Sequence, residues 1–339
     1  MKPIIYQLLP RTFTNYNETR RHNGTLQENG SGTLNAITPK ALRAIRDLGA
    51  THVWYTGVIR HATEQYNTPA IVKGKAGSPY AITDYYDIDP DLCEDKRHRM
   101  QEFTQLVERS HHANLKVIID FVPNHVAREY HSTCKPKGVV DLGANDNPEW
   151  AFSPLNNFYY MGEPFAPHFD VEGYQENPAR ATGNDCFTAH PSKDDWYETV
   201  KLNYGVFYQG GGEQQFDPIP NTWHKMLHIL LFWSNKGVDG FRCDMAEMVP
   251  QAFWAWVIPQ VKAKYPNILF IAEVYNPNLY REYLAAGFDY LYDKVGMYDY
   301  LRGVTSKNWS AEGITLQWQN VDDIRDRMLY FLENHDEQR

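Results

Sequence analysis

Short apolar runs alternate along this chain with segments in which apolar residues recur at helical spacing. Residues 4–9 form the first run, and residues 52–55 form the next. The segment between them opens with Thr38 and Pro39, which are typical of a helix start, and closes at Gly49, which is typical of a helix end. This order predicts a strand, a capped helix and a second strand, which together make one β/α unit.

The same alternation continues to the end of the chain. Helical spacing recurs around Phe103, between Trp223 and Trp233, and around Phe253. The later apolar runs predict strands at residues 117–119, 237–244, 268–272, 288–292 and 328–332. Polar residues gather at the strand ends, which favours a (β/α)8 TIM barrel over a doubly wound sheet. Because an eighth unit is missing from the sequence, we expect a barrel truncated before strand eight.

One interval is too long for an ordinary βα loop. Roughly a hundred residues, rich in Pro, Gly, Asn, Asp and aromatic side chains, separate strand three from the helix at Trp223. They follow the carboxyl end of strand three, the side on which barrel enzymes build their active sites. We therefore expect residues 1–125 and 223–339 to form the two parts of the barrel, and residues 126–222 to form an inserted subdomain.

Composition and charge restrict the classes of molecule that the protein is expected to bind. The chain has 23 Tyr, 16 Phe and 9 Trp, more than core packing usually requires, and stacking on sugar rings is one use for the excess. A net charge of −9 argues against nucleic acid. No stretch reaches the length of a membrane span, and no signal peptide is visible. The compartment stays open: cytoplasmic as the sequence stands, periplasmic or secreted if a signal was removed.

The four cysteines show neither metal-ligand nor paired spacing. We expect free thiols, although Cys134 and Cys186 could pair in an oxidising compartment. Cys243 lies within a predicted strand and is expected in the core.

The apolar run at residues 237–244 ends in Arg242 and Asp244. Side chains alternate along a strand, so these two project to the same side. The guanidinium would keep the carboxylate ionised, as a nucleophile requires. The same residues could instead form a structural ion pair, and this strand alone does not separate the two interpretations.

Other strand ends carry similar chemistry. Strand three ends at residues 120–125, strand five at Glu273 and strand seven at residues 333–336, and in a barrel these ends converge on one rim. Paired carboxylates on such a rim match glycoside hydrolysis, with Asp244 as nucleophile and Glu273 as general acid. The other polar side chains would stabilise an oxocarbenium-like transition state or donate hydrogen bonds to sugar hydroxyls: Asp336, His125 and His335.

Histidines and carboxylates on barrel strands also bind divalent ions. Arg242, however, is placed where it would repel a bound cation. A metal-dependent hydrolase is therefore a minor alternative.

Four ordered stretches, residues 120–125, residues 240–244, Glu273 and residues 334–336, resemble the four signature regions of the α-amylase family of retaining glycoside hydrolases. The resemblance covers essentially the whole chain. It implies a (β/α)8 barrel with a subdomain inserted after strand three. It also implies the role of each matching residue: catalytic for Asp244, Glu273 and Asp336, and substrate-binding for Tyr80, His125, Arg242 and His335, with Asp120 orienting the arginine.

The sequence also departs from the family pattern. Residues 245–248 replace a Lys-His pair with which many amylases bind reducing-end glucose units and calcium, which weakens an endo-amylase assignment. Asn124 resembles a calcium-ligand asparagine, whereas residues 201–204 resemble a fifth region with Asn203 in place of the usual acid. Calcium at Asn124 is therefore left open, and no organic cofactor is expected.

We expect a monomeric glycosidase that cleaves α-glucosidic bonds in starch-like α-glucans or malto-oligosaccharides by double displacement. An α-glucan transglycosylase is the nearest alternative, because transfer to another sugar would use the same residues. A non-catalytic carbohydrate-binding scaffold is a further alternative. Such relatives usually lose one or more acidic residues, and this chain retains all three.

Overall fold

Seven parallel strands form one curled sheet, half of a barrel, in a computed structural model that describes residues 2–337. The strands are β1 Ile5–Leu8, β2 His52–Tyr55, β3 Lys116–Phe121, β4 Gly240–Cys243, β5 Leu269–Ala272, β6 Tyr290–Tyr292 and β7 Met328–Leu329. Each strand pairs with the next one in this order, so β1 and β7 lie at the two edges of the described sheet. All seven predicted strands are confirmed.

The last strand is shorter than the predicted run at residues 328–332. Its ladder with β6 ends at the pair Tyr292 and Leu329. The amide of the next residue, Asp293, makes the last bond to Leu329 at 3.1 Å, and its side chain caps the π-helical turn Lys294–Tyr298, where the chain turns away from the sheet. Residues beyond Leu329 therefore lack a partner on β6, and the prediction is wrong over its last three residues.

Helices connect most of the strands. The longer ones are α1 Pro39–Asp47, α2 Arg99–His112, α3 Asn221–Asn235, α4 Gln251–Lys264, α5 Tyr280–Ala285, α6 Asp299–Ser306 and α7 Gly313–Asn320, and shorter ones lie at Pro10–Phe13 and Leu26–Asn29. The predicted start of α1 is confirmed, because Thr38 Oγ1 accepts a hydrogen bond from the Ala41 amide at 3.2 Å and Pro39 occupies the first turn.

Side-chain alternation gives the sheet two different faces. Phe241 of β4 belongs to the large core that the sheet shares with α2, α3 and α4. Arg242, the next residue, lies over the rings of Trp54 and Tyr292, at 5.4 and 5.7 Å from their centroids. A separate inner cluster contains Trp54, Ile118, Ile271 and Tyr292. The inner face therefore carries Arg242 and the residues that follow in the same alternation.

The segment between β3 and α3 contains short antiparallel pairs. His125–Ala127 pairs with Thr199–Lys201, and this register sets His125 opposite Lys201. A second pair joins Val206–Phe207 and Glu213–Gln214. The first pairing holds the start of the segment and residues 199–201 together beside the carboxyl end of β3. The division at residues 126–222 stays a prediction.

A hairpin that the sequence did not predict follows β2. Its strands are Ile59–His61 and Ile82–Ile88, and Tyr80 lies on the connection between them. Its longer strand is wholly buried although it contains two aspartates, and one of them, Asp87, forms ion pairs with Arg60 and Arg99. Because polar residues that are paired inside the protein interrupt the apolar run, a hydrophobicity pattern does not reveal such a strand.

The predicted free thiols are confirmed for all four cysteines. Cys243 is buried in the core, as expected. Among residues 2–337, the helices lack the length and apolar character that crossing a bilayer would require.

An ion pair near the end of α2 makes stability depend on pH. His111 Nε2 lies 2.7 Å from Asp239 Oδ2, and this contact raises the pKa of His111. Since the folded-state pKa exceeds the unfolded value of about 6.5, the stabilisation is complete below that pH and is lost as pH rises through the folded-state pKa. We expect about 0.5 kcal/mol at most, because the His111 side chain is 41% exposed.

Urea unfolding of the wild type and His111→Asn across this pH range measures the effect. The exposed neighbour His112 supplies the control variant His112→Asn, which should keep the wild-type pH dependence. A pH dependence that survives unchanged in His111→Asn would contradict the assignment.

Candidate active site

The carboxyl ends of β3, β4 and β5 bring four charged side chains together. Asp120 of β3 pairs in register with Arg242 of β4. Asp244 follows β4, and its amide donates to a carbonyl of β3 at 2.9 Å. Glu273 follows β5, and its amide donates to a carbonyl of β4 at 3.1 Å. These bonds extend the sheet by one residue and fix the backbone positions from which the Asp244 and Glu273 side chains project.

Arg242 is the centre of this group. Its Nη1 lies 2.7 Å from Asp244 Oδ1 and 3.5 Å from Asp120 Oδ1. Its Nη2 lies 2.7 Å from Glu273 Oε1. The arginine side chain is 1% exposed, so these contacts are shielded from water. One guanidinium thus contacts three carboxyl groups, whereas the sequence of β4 alone predicted only an ion pair between Arg242 and Asp244.

Two aromatic residues that the sequence analysis missed support this group. Tyr292 OH accepts a hydrogen bond from Arg242 Nε at 3.0 Å. Trp54 Nε1 donates to Asp120 Oδ2 at 3.0 Å. Both residues lie near the carboxyl ends of their strands on the inner face, and strand alternation was the signal that could have found them.

Burial sets the electrostatics of the group. It raises the pKa of Asp244 well above the ordinary range, against the opposing effect of Arg242, and the Glu273 carboxylate adds to the rise. It also raises the pKa of Asp120. Burial thus outweighs the guanidinium at Asp244, and the expectation that Arg242 keeps this carboxylate ionised is not met. The attack proposed for Asp244 requires its deprotonated form.

Of these four groups, Asp244 and Glu273 line a cavity of about 450 Å³, whereas Arg242 and Asp120 lie behind them, and contact of Arg242 with substrate stays a prediction. Trp196 and Tyr275 add flat aromatic surface to its walls, which suits stacking on sugar rings. Lys73 and Glu198 also line it. The predicted site residues among its lining are Tyr80, His125, Asp244, Glu273 and Asp336.

His125 is a neutral hydrogen-bond donor on this wall. Burial and the nearby Lys201 ammonium lower the pKa of His125 to about 3, so its ring is uncharged near neutral pH. Asn124 Nδ2 lies 3.1 Å from His125 Nδ1. Since an amide nitrogen donates and does not accept, the ring proton belongs on Nε2. The ring also has a hydrogen bond with the Tyr80 backbone, so donation from Nε2 to a sugar hydroxyl stays a prediction.

Among the described residues 2–337, His335 is not part of the cavity lining but lies beside it. Its ring stacks on Tyr80 with centroids 5.4 Å apart and meets Trp54 edge-on. His335 Nε2 is 2.6 Å from Tyr80 OH and 3.0 Å from Asp336 Oδ2, and the second contact lowers the pKa of Asp336. His335 therefore positions Tyr80 and Asp336, and its direct contact with substrate stays a prediction.

The predicted calcium ligand, Asn124, faces a lysine. Its Oδ1 accepts a hydrogen bond from Lys201 Nζ, and its Nδ2 donates to the Gly183 carbonyl at 2.7 Å. A cation at Oδ1 would meet the positive charge of Lys201. The residues at this position therefore do not fit a calcium ion, and no step of the reaction proposed below involves one.

Glu273 has two further donors that the sequence did not reveal. Tyr275 OH donates to Oε1 at 2.8 Å, and the Met245 amide donates to Oε2 at 2.7 Å. Met245 has a φ of 43°, in the left-handed region that costs free energy for residues other than glycine. Tyr275 could have been found from its spacing, two residues after Glu273 on the same side of the chain. A left-handed methionine has no comparable sequence signal.

Comparison with known proteins places these observations in a family. The family described as "Alpha amylase, catalytic domain" matches residues 7–339. An alpha-1,4-glucan:maltose-1-phosphate maltosyltransferase of Cereibacter sphaeroides is 25% identical over 318 residues, which cover 89% of this chain and 42% of that protein. A trehalose-6-phosphate hydrolase of Bacillus subtilis is 26% identical over 254 residues, which cover 73% of this chain and 35% of that protein. The chain spans less than half the length of these curated relatives.

Solved structures agree with the predicted barrel. An alpha-amylase from Lactobacillus plantarum is similar with a TM-score of 0.64 and 26% identity, over 99% of this chain and 64% of that one. A debranching enzyme of Nostoc punctiforme has a TM-score of 0.67 at 20% identity, over 99% of this chain and 64% of that one, and this second likeness concerns the fold alone. The predicted (β/α)8 barrel class is confirmed.

Proposed function

Because this chain belongs to the α-amylase family, we propose that it carries the active site of an enzyme that cleaves α-glucosidic bonds in α-glucans or malto-oligosaccharides with retention of configuration. One observation carries the proposal: Asp244 and Glu273 contact the same buried guanidinium and line the same cavity. Two carboxyl groups in a cleft are the machinery of glycoside hydrolysis, and the shared guanidinium holds this pair close together, as retaining enzymes require. Asp336 is a third acid in the lining of this cavity, and its retention argues against a non-catalytic scaffold.

The reaction proceeds in two displacements. Asp244 attacks the anomeric carbon while Glu273 protonates the departing glycosidic oxygen, which gives a covalent glycosyl-enzyme. Glu273 then takes a proton from water, and the water oxygen attacks the anomeric carbon on the face that the leaving group vacated, opposite Asp244, so that the bond to Asp244 breaks and the original configuration is restored. Asp336 stabilises the positive charge of both transition states, and His125 donates a hydrogen bond to a ring hydroxyl.

Transfer to a second sugar is the other candidate function. It is favoured by the likeness to the Cereibacter sphaeroides maltosyltransferase, and a sugar hydroxyl can replace water in the second step with the same residues. The likeness to trehalose-6-phosphate hydrolase adds phosphorylated disaccharides to the substrates worth testing.

The test is product analysis of the protein in its full natural length on maltoheptaose, with the anomeric protons followed by NMR. We expect the α-anomer first, followed by slow mutarotation. Shorter products indicate hydrolysis and longer ones indicate transfer. Maltose 1-phosphate and trehalose 6-phosphate are tried as further donors. A β-anomer as first product would overturn retention, and the absence of turnover on every α-linked donor would overturn the enzyme proposal.

The hydrogen bond from Tyr275 to Glu273 gives a further prediction. We expect Tyr275→Phe to lower kcat about tenfold to a hundredfold, because a hydrogen bond to a charged group contributes about 1.5–3 kcal/mol. Steady-state kinetics on maltoheptaose measures this loss. The control is Tyr283→Phe, since Tyr283 OH donates to a backbone carbonyl at 3.0 Å outside the cavity. Equal kinetic losses in both variants would contradict a role for Tyr275 at Glu273.

A further inference from the structure

One lysine is enclosed where the inserted segment meets the barrel. Lys201 is 1% exposed, and its Nζ lies 2.6 Å from Asp185 Oδ1 and 3.1 Å from the Met248 carbonyl oxygen. The same Nζ donates to Asn124 Oδ1 and lies 5.3 Å from the centre of the Tyr208 ring. A single ammonium group therefore receives a carboxylate, an amide oxygen, a backbone carbonyl and an aromatic face.

These oxygens come from three separate parts of the chain. Asn124 follows β3, Met248 lies in the turn after β4, and Asp185 belongs to the inserted segment. Carboxylate, amide and backbone carbonyl oxygens are the ligands that hard cations such as calcium take from proteins. Here the ammonium occupies the point on which they converge, and a lysine carries three N–H donors for three oxygens.

The ammonium is also coupled to the candidate active site. Lys201 is the register partner of His125, and Asn124 joins them, since its Oδ1 contacts Lys201 and its Nδ2 contacts His125. Met248 is four residues from Asp244 on the turn that leads away from β4. The Lys201 ammonium thus holds in place the segment around His125 and the turn after β4, and residues of both line the cavity.

We propose that the Lys201 ammonium is the built-in cation of this junction: it fastens the inserted segment to the barrel and makes a calcium ion unnecessary there. The proposal concerns the assembly of the protein, so its test does not depend on which sugar the enzyme takes.

The charge on Lys201 depends on its partners. Burial lowers the pKa of Lys201, and the Asp185 carboxylate acts in the opposite direction. If the ammonium were removed, the buried Asn124 Oδ1 and the partly buried Met248 carbonyl would lose their donor, which is costly, whereas Asp185, whose side chain is 36% exposed, can be hydrated. Loss of Lys201 should therefore cost more stability than loss of a comparable ion pair elsewhere.

The first experiment uses the wild-type protein in its full natural length. Its thermal unfolding midpoint is measured in millimolar EDTA and in millimolar calcium chloride, and calcium chloride is titrated into it by calorimetry. We expect the same unfolding midpoint in EDTA and in calcium chloride, and no saturable heat of calcium binding in the titration. A one-to-one calcium isotherm with a calcium-dependent midpoint would overturn the proposal.

The second experiment compares Lys201→Met, Asp185→Asn and the double variant. We expect Lys201→Met to lower the midpoint by several degrees, and the double variant to lose less than the sum of the two single losses, because the charges are coupled. The matched control is Lys262→Met, since Lys262 Nζ lies 2.7 Å from Asp289 Oδ1 on the barrel, away from the junction. Additive losses, or a larger loss in the control, would overturn the proposal. If Lys201→Met does not fold, Asp185→Asn compared with Asp289→Asn decides the same point.

Discussion

Replacing Asp244 with asparagine will lower kcat on malto-oligosaccharides by about 10⁴-fold or more and leave the protein folded. An amide cannot attack the anomeric carbon, so no glycosyl-enzyme forms. The amide oxygen can still accept the hydrogen bond that Arg242 now gives at 2.7 Å, so the site should keep its shape. Steady-state kinetics, circular dichroism and oligosaccharide binding by calorimetry together separate lost chemistry from lost structure.

The control for this variant lies just before the same strand. Asp239 precedes β4 at its amino end, and its Oδ2 accepts a hydrogen bond from the Val117 amide at 2.7 Å. Asp239→Asn should reduce stability and leave kcat close to the wild-type value. The nucleophile assignment fails if Asp244→Asn keeps wild-type turnover, or if both variants lose turnover equally.

Glu273→Gln will separate the acid step from the base step. On maltoheptaose we expect kcat to fall about 10³-fold, which is within the usual range for a general acid. On α-glucosyl fluoride, whose leaving group needs no proton, the first step should stay fast. The second step still needs a base, so fluoride should appear in a burst and the glycosyl group should accumulate on Asp244, where mass spectrometry of peptides can find it.

A cavity carboxylate outside the arginine group provides the comparison. Glu198 lines the same cavity, and its Oε2 accepts a hydrogen bond from the Lys73 amide at 2.9 Å. Glu198→Gln should lower turnover of both substrates to a similar, smaller extent. If Glu273→Gln slows both substrates equally and shows no burst, Glu273 is not the acid.

The barrel was predictable because its strands are short apolar runs with chemistry at their ends. The acids Asp244 and Glu273 could be selected from that placement alone, and the structure puts both on one guanidinium. The supporting residues were harder to find. Trp54 and Tyr292 look like ordinary core aromatics until the sheet curls and brings their strands to Arg242.

The lysine at the predicted calcium position could not be found from the sequence. Residues 201–204 resemble the fifth region of the family with Asn203 in place of the usual acid, and nothing in the sequence singles out Lys201. The importance of Lys201 comes from contacts with residues 16 to 77 positions away, at Asp185, Met248 and Asn124. No local spacing indicates that these oxygens meet, because their meeting depends on how the inserted segment folds back on the barrel.

The order of strands in the sheet follows the order of synthesis. Each strand leaving the ribosome can add to an edge that already exists, since its neighbour has been made before it. Asp120 is translated first, Arg242 second, and Asp244 and Glu273 only afterwards. In the nascent chain Arg242 is therefore present before the second and third carboxyl groups of this site, so β5 adds Glu273 to a group in which the guanidinium already offsets one negative charge.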